Sequence, residues 1–325
     1  QNDWAVCEEI AIFSDDDFLL GNVSRCYPWY LPGCSRHDVT HHTILQRKTP
    51  LPAVRSLPGK VAILSGLSGH VYYHWLFDVL PRFNILQTEL HAQGQTLADI
   101  DTFVVNNINQ PFQRETLSAL NIPLDKVIAS DRIPHIQAQQ LVVPSFPGYL
   151  DWVPPSTIDF LRRVFLPARP RASGWSSGRS SGQRRRLYIS RGKAKYRHVL
   201  NEAEVIELLS HFGFETVALE TLSVAQQVQL FSEAEAVVAA HGSGLANLVF
   251  CAPGTRVIEL FSPQYLRTDY WMISEYLQLA HYYLLGATFG LHPLRQLMYP
   301  SPLTEDFLVN ILALRSLLKQ ANLLE

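Results

Sequence analysis

The chain has 325 residues, of which 47% are hydrophobic and 17% charged, and its formal net charge is −2 at pH 7. This length allows two domains that each bury a core, and the composition excludes a disordered chain. The near-neutral charge argues against nucleic acid as a main partner, and no apolar run is long enough for a membrane span. The polar start, Gln1-Asn2-Asp3, predicts no signal peptide.

The four cysteines, Cys7, Cys26, Cys34 and Cys251, show no C-x-x-C spacing, which argues against a structural zinc site. Cys26 and Cys34 could pair in an oxidising compartment, whereas Cys251 lies in an apolar segment and is expected to pack in a core. Without paired spacing, this cysteine content favours a reducing, cytoplasmic location.

The first half of the chain begins with an aperiodic stretch. Residues 1–57 are rich in Pro, Cys, His and aromatic side chains, which predicts an irregular extension with short strands that packs on the first domain. Residues 58–166 then alternate between strand and helix patterns and predict a Rossmann-like domain. The predicted strands are 61–64, 102–106, 126–129 and 140–143, and the predicted helices are 72–93, interrupted or bent at Pro81, and 111–120.

The second half follows a basic, Gly- and Ser-rich stretch at 167–186, which predicts a flexible linker or surface loop and the domain boundary. Residues 187–302 resume the alternation and predict a second Rossmann-like domain. Its predicted strands are 187–190, 215–219, 236–240, 256–261 and 282–285, and its predicted helices are 202–212, 224–234, 245–251 and 271–279. Residues 303–325 predict a terminal helix, at about 305–321, that could cross back to the first domain.

The turn between strand 236–240 and helix 245–251 is His241-Gly242-Ser243-Gly244. A strand-to-helix turn of this kind points the free N–H groups of a helix N-terminus at the carboxyl end of a strand, where phosphates bind. The glycines allow close backbone approach, and Ser243 and His241 add side-chain donors. The alternative is a tight turn without a ligand.

Glu259 lies near the carboxyl end of the next predicted strand, 256–261. Ligands of doubly wound sheets bind at this edge, so we expect Glu259 to share a crevice with the turn and to bridge the two hydroxyls of a ribose. The alternative is a strand-end carboxylate that only reaches solvent.

His70, His74 and Asp78 follow one another at intervals of four residues around the start of helix 72–93. If the helix reaches back to His70, all three share one face. They are then satisfied core residues, three ligands for zinc or iron, or an acid–base site in which Asp78 deprotonates an acceptor hydroxyl or is held in place by His74. Periodicity does not separate these hypotheses.

Four segments of the chain occur in a specific order: 69–82 (GHVYYHWLFDVLPR), 188–191 (YISR), 241–247 (HGSGLAN) and 253–260 (PGTRVIEL). In this order they resemble glycosyltransferase family 61, and the resemblance covers roughly residues 60–300. The family includes plant xylan xylosyl- and arabinosyltransferases, animal protein O-linked N-acetylglucosaminyltransferases and bacterial members. We expect a bacterial-type member.

The resemblance implies an α/β fold of GT-B architecture, with two Rossmann-like domains facing across a cleft. It also implies an inverting, metal-independent transfer of a sugar from a nucleotide donor, usually UDP-linked, to a hydroxyl of a glycan or protein. The nucleotide sugar is a substrate, and neither a cofactor nor a metal is expected. A helical metalloenzyme and a non-catalytic nucleotide-sugar-binding module of the same fold are the alternatives.

Carried over by position, Arg191 beside Ser190 is expected to neutralise the leaving diphosphate, with main-chain groups of Gly242, Ser243 and Gly244 completing the anion site. Asp78 is expected to be the base, with His74 as the alternative. The other residues carried over are Leu219, in a segment lining the nucleobase, His241, Asn247 and Glu259 on the donor side, and His70 and Arg82 on the acceptor side or in the cleft.

Overall fold

The computed structural model describes residues 4–6, 10–24, 40, 42–148, 152–167, 184–288, 292–299 and 301–324. The chain divides into two compact units, Gln1–Leu150 and Asp151–Glu325. Each unit is an α/β structure, and its described strands are wholly parallel in the second unit and mostly parallel in the first, which is consistent with a Rossmann-like fold. The predicted pairing of Cys26 with Cys34 and most of the basic stretch 167–186 lie outside the described residues.

The first unit contains six described strands. They are β1 (Trp4–Val6), β2 (Ala11–Phe13), β3 (Arg55–Ile63), β4 (Thr102–Val105), β5 (Val127–Ala129) and β6 (His135–Val142). Their order in the sheet is β2-β1-β6-β3-β4-β5, and the strands β3 to β6 are parallel, whereas β1 pairs antiparallel with β2 and β6. The chain runs outward from β3 to β5 and returns beside β3 as β6, so the sheet has a switch point between β3 and β6.

A long helical segment follows β3. It consists of α1 (Tyr72–His74), a π-helical turn (Trp75–Val79) and α2 (Leu80–Ala92), and α3 (Pro111–Ala119) follows β4. Pro81 has no N–H for an ordinary helical hydrogen bond, and the widened turn ends just before it. The interruption predicted at Pro81 is therefore confirmed. The indole of buried Trp75 donates to Thr116 Oγ1 at 2.8 Å and fixes the widened turn against α3.

The second unit contains a five-stranded, wholly parallel sheet. Its strands are β7 (Arg185–Ile189), β8 (Phe214–Val217), β9 (Ala234–Ala240), β10 (Arg256–Phe261) and β11 (Ala280–Leu285). They lie in the order β11-β10-β9-β7-β8. The chain moves from β7 to β8 on one side and then to β9 on the other, so the switch point lies between β7 and β9.

The helices of the second unit are α4 (Pro155–Phe165), α5 (Glu202–Ser210), α6 (Val224–Ser232), α7 (Asp269–Tyr276), α8 (His292–Met298) and α9 (Ile311–Gln320). A 3-10 helix, Ser243–Phe250, occupies the place of the predicted helix 245–251. Neither α4 nor α8 was among the predicted helices.

Helix α4 belongs to the second unit because of what it touches. The guanidinium of Arg162 donates to the carbonyls of Val249 and Cys251 at 2.7 and 2.9 Å and so closes the C-terminal end of the 3-10 helix. The division between the units therefore falls before α4, whereas composition placed it at 167–186. A polar stretch marks where a chain can be exposed, but the contacts of an amphipathic helix decide which core it joins.

The C-terminal segment also packs within the second unit. Phe307, Leu314 and Leu318 are buried in one cluster with Tyr188 of β7 and Ile258 of β10. This position differs from the predicted crossing to the first domain, because the apolar stripe of α9 covers the face of the sheet next to α5. Among the described helices, none has the length and apolar character needed to span a membrane.

Candidate active site

The switch point of the second sheet brings Arg191 and Gly242 together. Arg191 follows β7 and Gly242 follows β9, and these strands are neighbours. A side chain on Gly242 would overlap the Arg191 guanidinium, so the glycine is needed for close approach. The structure thus brings together the two elements that the sequence predicted for the diphosphate.

Arg191 lacks an acidic partner among the described residues. Its guanidinium donates to the Tyr196 carbonyl at 2.9 Å, and its Nε is buried without a hydrogen bond. Burial and, after it, the neighbouring cation Arg197 lower the pKa of Arg191 to about 10. Two cations this close together, Arg191 half-buried and Arg197 buried, are costly unless an anion completes the site.

Arg197 is the second cation, and it was not among the site residues predicted from the sequence. Only 8% of it is exposed, its Nε has no hydrogen bond, and its φ of 59° is in the left-handed region that non-glycine residues rarely adopt. Its guanidinium lies 5.0 Å from the ring centroids of both Tyr196 and Tyr265. Its place in the loop after a buried strand was the available signal for a site residue.

The 3-10 helix adds backbone donors to this site. It begins at Ser243, so its first N–H groups have no partner within the helix and point towards the turn. Ser243 is half-buried, and its hydroxyl has no hydrogen bond among the described residues. An added Cβ on Gly244 would come within 2.9 Å of Leu219 Cδ1, so the structure also brings Leu219 to the turn.

A tyrosine of α7 fixes the Gly242 carbonyl in the turn. The buried hydroxyl of Tyr270 donates to the Gly242 carbonyl at 2.8 Å, and its ring centroid lies 5.3 Å from that of His241. Fixing the carbonyl orients the peptide that follows it, and hence the N–H of Ser243. Nothing in the local sequence of α7 indicates this contact, because it depends on the packing of α7 against the 3-10 helix and β11.

Glu259 has a different environment from the predicted one. It is 1% exposed, and its two oxygens accept hydrogen bonds from His241 Nδ1 at 2.6 Å and His281 Nε2 at 3.1 Å. Burial alone would raise the pKa of Glu259, but the two histidine hydrogen bonds outweigh it and hold the pKa below its ordinary value. A carboxylate with both oxygens engaged in the interior does not present them to a ribose, so its contact is with His241.

Two other residues that were predicted to bind the nucleotide-sugar donor form hydrogen bonds that hold the loops of the site in place. The Ser190 hydroxyl donates to Glu202 Oε1 at 2.9 Å and accepts from the Gly192 N–H at 3.1 Å. Asn247 is fully buried, and its amide donates to Gln227 Oε1 at 2.9 Å and to the Gly244 carbonyl at 3.1 Å. Both side chains fix the backbone around the site.

The first unit contains a second candidate group, the pair His74 and Asp78. His74 Nδ1 lies 2.7 Å from Asp78 Oδ2, and the side chains are 29% and 18% exposed. An added Cβ on Gly66 would lie 3.7 Å from Asp78 Cβ, which places the pair over the turn that follows β3. Asn106 fixes this turn by exchanging hydrogen bonds of 2.9 and 2.7 Å with the backbone of Gly66.

His70 does not join this pair on a helix face. It is exposed and lies in a turn, because Val71 is extended, with φ −93° and ψ 136°, and the helix begins only at Tyr72. No group of three or more His, Cys, Asp or Glu side chains in the described part of the chain is arranged to hold a metal ion. The hypothesis of a His70, His74 and Asp78 metal site therefore loses its geometric basis.

Arg82, which was predicted to lie on the acceptor side or in the cleft, is fully buried. Its guanidinium donates to the carbonyls of Ser65 and Pro144, each at 2.7 Å, and lies 4.4 Å from the ring centroid of Phe146. Ser65 follows β3 and Pro144 follows β6, so this side chain joins the two loops at the first switch point. Its role in the described structure is to position those loops.

Comparison with known proteins shows that one family profile covers both candidate groups, the His74–Asp78 pair and the site of Arg191 and Gly242. The family profile of glycosyltransferase 61 matches residues 72–258, more than half of the chain. The chain belongs to glycosyltransferase family 61. The match includes the His74–Asp78 pair, Arg191 and the turn at Gly242.

Two curated relatives of this family 61 chain are plant proteins. A beta-1,2-xylosyltransferase of Oryza sativa subsp. japonica is 31% identical over 124 residues, which are 38% of this chain and 21% of the relative. A beta-1,2-xylosyltransferase of Arabidopsis thaliana is 29% identical over 98 residues, 26% of this chain and 18% of the relative. The chain thus spans about a fifth of the curated relatives it matches. Neither relative supports the expected bacterial type or the likeness to O-linked N-acetylglucosaminyltransferases.

Proposed function

We propose that this family 61 chain is an inverting glycosyltransferase that uses a nucleoside-diphosphate sugar. The observation that carries the proposal is Arg191, a half-buried cation without a salt-bridge partner among the described residues, which lies against Gly242 at the switch point of a parallel sheet. Membership of the family supports a glycosyltransferase, and the chemistry of the turn supports the diphosphate.

The donor half of the reaction follows from the charges at the turn. Transfer of the sugar builds negative charge on the departing diphosphate, and positive groups already fixed in place stabilise that charge without reorganisation. Arg191, Arg197 and the first N–H groups of the 3-10 helix provide such groups. We propose that they bind the diphosphate directly, so that transfer does not depend on a metal ion.

The acceptor half is assigned to the His74–Asp78 pair. The hydrogen bond from Nδ1 of His74 to Asp78 leaves Nε2 of the ring as the proton acceptor, and His74 is the more exposed of the two. This geometry favours His74 as the base, oriented by Asp78, over the reverse order expected from the sequence. The base takes the proton of the acceptor hydroxyl as its oxygen attacks the anomeric carbon from the face opposite the diphosphate.

For transfer to occur, the acceptor bound at the His74–Asp78 pair must reach the sugar of the donor bound at Arg191. We therefore propose the GT-B arrangement, in which the first unit supplies the acceptor side and the second unit the donor side. Because both relatives are xylosyltransferases, UDP-xylose is the first donor to test. The acceptor is proposed to be a hydroxyl of a glycan or a protein.

Calorimetric titration of UDP in excess EDTA tests the donor assignment, with GDP and CMP as competitors. We expect UDP to bind without metal and CMP, with one phosphate, to bind more weakly. Arg191→Gln should lower UDP affinity at least tenfold, since a charge-assisted bidentate contact is lost. UDP binding that appears only after a divalent metal is restored, or that Arg191→Gln leaves unchanged, contradicts the proposal.

A further inference from the structure

A network of mostly buried polar side chains in the second unit extends from Ser274 of α7 to His241 in the turn. Ser274 Oγ lies 2.7 Å from His281 Nδ1, His281 Nε2 lies 3.1 Å from Glu259 Oε2, and Glu259 Oε1 lies 2.6 Å from His241 Nδ1. Glu259, His281 and Ser274 are almost fully buried. The strand register places His241, Glu259 and His281 on the same face of the sheet, the one that α7 covers.

The hydrogen bonds define where the protons are. An ionised Glu259 only accepts, so Nε2 of His281 and Nδ1 of His241 must each carry a proton. In the neutral form of His281, Nδ1 then accepts from the Ser274 hydroxyl. The remaining ring nitrogen is Nε2 of His241, which has no hydrogen bond in the described structure and is not among its buried unpaired atoms. This nitrogen is therefore the point at which the network meets solvent.

Aromatic side chains fix the plane of the His241 ring. It stacks on Phe261 with centroids 5.2 Å apart, and Tyr265 and Tyr270 contact it with centroids 5.3 Å away. The charged and titratable groups near it are Glu259 on β10, His281 on β11, Asp269 and Tyr270 on α7, Tyr265 on the preceding loop, and Arg191 and Arg197 on the loop after β7. The next residue, Gly242, lies against the Arg191 guanidinium.

We propose that His241 is a catalytic acid for the leaving group and that Glu259 and His281 are its positioning residues. The inference rests on the proposed function. As the anomeric C–O bond breaks, its electron pair goes to the phosphate oxygen, and Nε2 of the His241 imidazolium gives that oxygen its proton and becomes neutral. The acceptor oxygen forms the new bond to the anomeric carbon, and its proton goes to His74.

The carboxylate of Glu259 explains why the network is built this way. It stabilises the positive charge that His241 carries before transfer, and it holds the ring so that Nε2 faces the anion rather than turning away. The bond from His281 engages the second oxygen of Glu259, so the carboxylate cannot rotate from His241 without losing a hydrogen bond.

Inorganic pyrophosphate is the probe, because it tests the anion contact without a known sugar or acceptor. Histidine-specific ¹⁵N NMR of the full chain reports which ring nitrogens carry protons, and calorimetry reports affinity. We expect pyrophosphate to protonate Nε2 of His241. We also expect His241→Gln and Glu259→Gln to lower pyrophosphate affinity about tenfold. His211→Gln, at an exposed histidine of the same unit, is the matched control and should bind as wild type does.

A second pair of variants guards against misfolding at the buried Glu259. His281→Gln keeps an N–H that can donate to Glu259 and should stay within twofold of wild type, whereas His281→Leu should lose affinity severalfold. Pyrophosphate binding that leaves His241 Nε2 unprotonated, or that His241→Gln does not weaken, overturns the inference. If Arg191→Gln still weakens binding in that case, the proposed function stands. If neither His241→Gln nor Arg191→Gln lowers the affinity for pyrophosphate, both the inference and the proposed function are overturned.

Discussion

The guanidinium of Arg191 fills the space that a side chain at Gly242 would need. An added Cβ would overlap the terminal nitrogen of Arg191 and lie 2.8 Å from its Cζ. The glycine is therefore needed for what lies beside it. Its φ of 169° is extended backbone that any residue adopts.

Gly242→Ala should displace the Arg191 guanidinium and weaken UDP binding about tenfold or more. Because the methyl group acts only through Arg191, the double variant with Arg191→Ala should bind no worse than Arg191→Ala alone. Calorimetry on the two single variants and the double variant completes the cycle. Additive losses would mean that the methyl group blocks the nucleotide itself.

Arg197→Gln should distinguish a diphosphate from a monophosphate. A hydrogen bond to a charged group contributes about 1.5–3 kcal/mol, so UDP affinity should fall at least tenfold. UMP, which leaves part of the cationic site empty, should lose less. Arg163→Gln, an exposed arginine of α4, is the control and should change neither affinity. Equal losses for UDP and UMP would place Arg197 elsewhere than on the second phosphate.

His74→Gln and Asp78→Asn should both lower kcat and leave UDP affinity unchanged. Removal of a general base costs about 10²- to 10⁴-fold, and we expect the larger loss for His74→Gln. In Asp78→Asn the remaining amide still accepts from Nδ1, so part of the orientation survives. Transfer rates measured with UDP-xylose, the first donor to test, give both values. A larger loss in Asp78→Asn would restore Asp78 as the base.

Thr116→Val should destabilise the first unit through Trp75. The variant leaves the indole N–H of a fully buried Trp75 without an acceptor, which costs about 1–3 kcal/mol of unfolding free energy. Thr88→Val removes a comparable hydroxyl from the exposed side of α2 and should change stability by less than about 0.5 kcal/mol. Urea unfolding of both variants makes the comparison. Equal effects would show that Thr116 does not anchor the widened turn.

Glu259 should contribute to the pH dependence of stability. Its pKa in the folded chain lies below its ordinary value, so the unfolded chain takes up the proton more readily. Its stabilising contribution is complete above the ordinary carboxyl pKa of about 4.3 and is lost as pH falls through the lower folded value. Wild type should therefore lose stability more steeply than Glu259→Gln below about pH 5. Urea unfolding across this range tests it, and parallel curves would contradict it.

The strands around the candidate site could be predicted because they are buried on both faces. Parallel strands such as β9 and β10 are mostly apolar, and the turn with its two glycines directly follows β9. Chain order then places the loops after β7 and β9 at one edge of the sheet. The meeting of Arg191 with Gly242 follows from these local signals and the handedness of the connections.

The roles of Glu259 and Arg82 could not be predicted in the same way. Strand position tells which end of the sheet a carboxylate lies near, but His281 and α7, which enclose Glu259, are distant in sequence. Arg82 looks like an exposed cation until the carbonyls of Ser65 and Pro144 are seen to surround it. Helix α4 has a clear apolar face, but it was missed because it is short and lies between a proline-rich start and the polar stretch 167–186.

The two switch points of this chain differ in how their arginines are satisfied. In the first sheet the carbonyls of Ser65 and Pro144, which follow β3 and β6, already accept hydrogen bonds from Arg82. The chain's own backbone therefore satisfies this arginine. In the second sheet the guanidinium of Arg191, beside Gly242, has no salt-bridge partner among the described residues. We therefore expect only one of the two described sheets to bind a phosphate, so that the chain takes up one nucleotide at saturation.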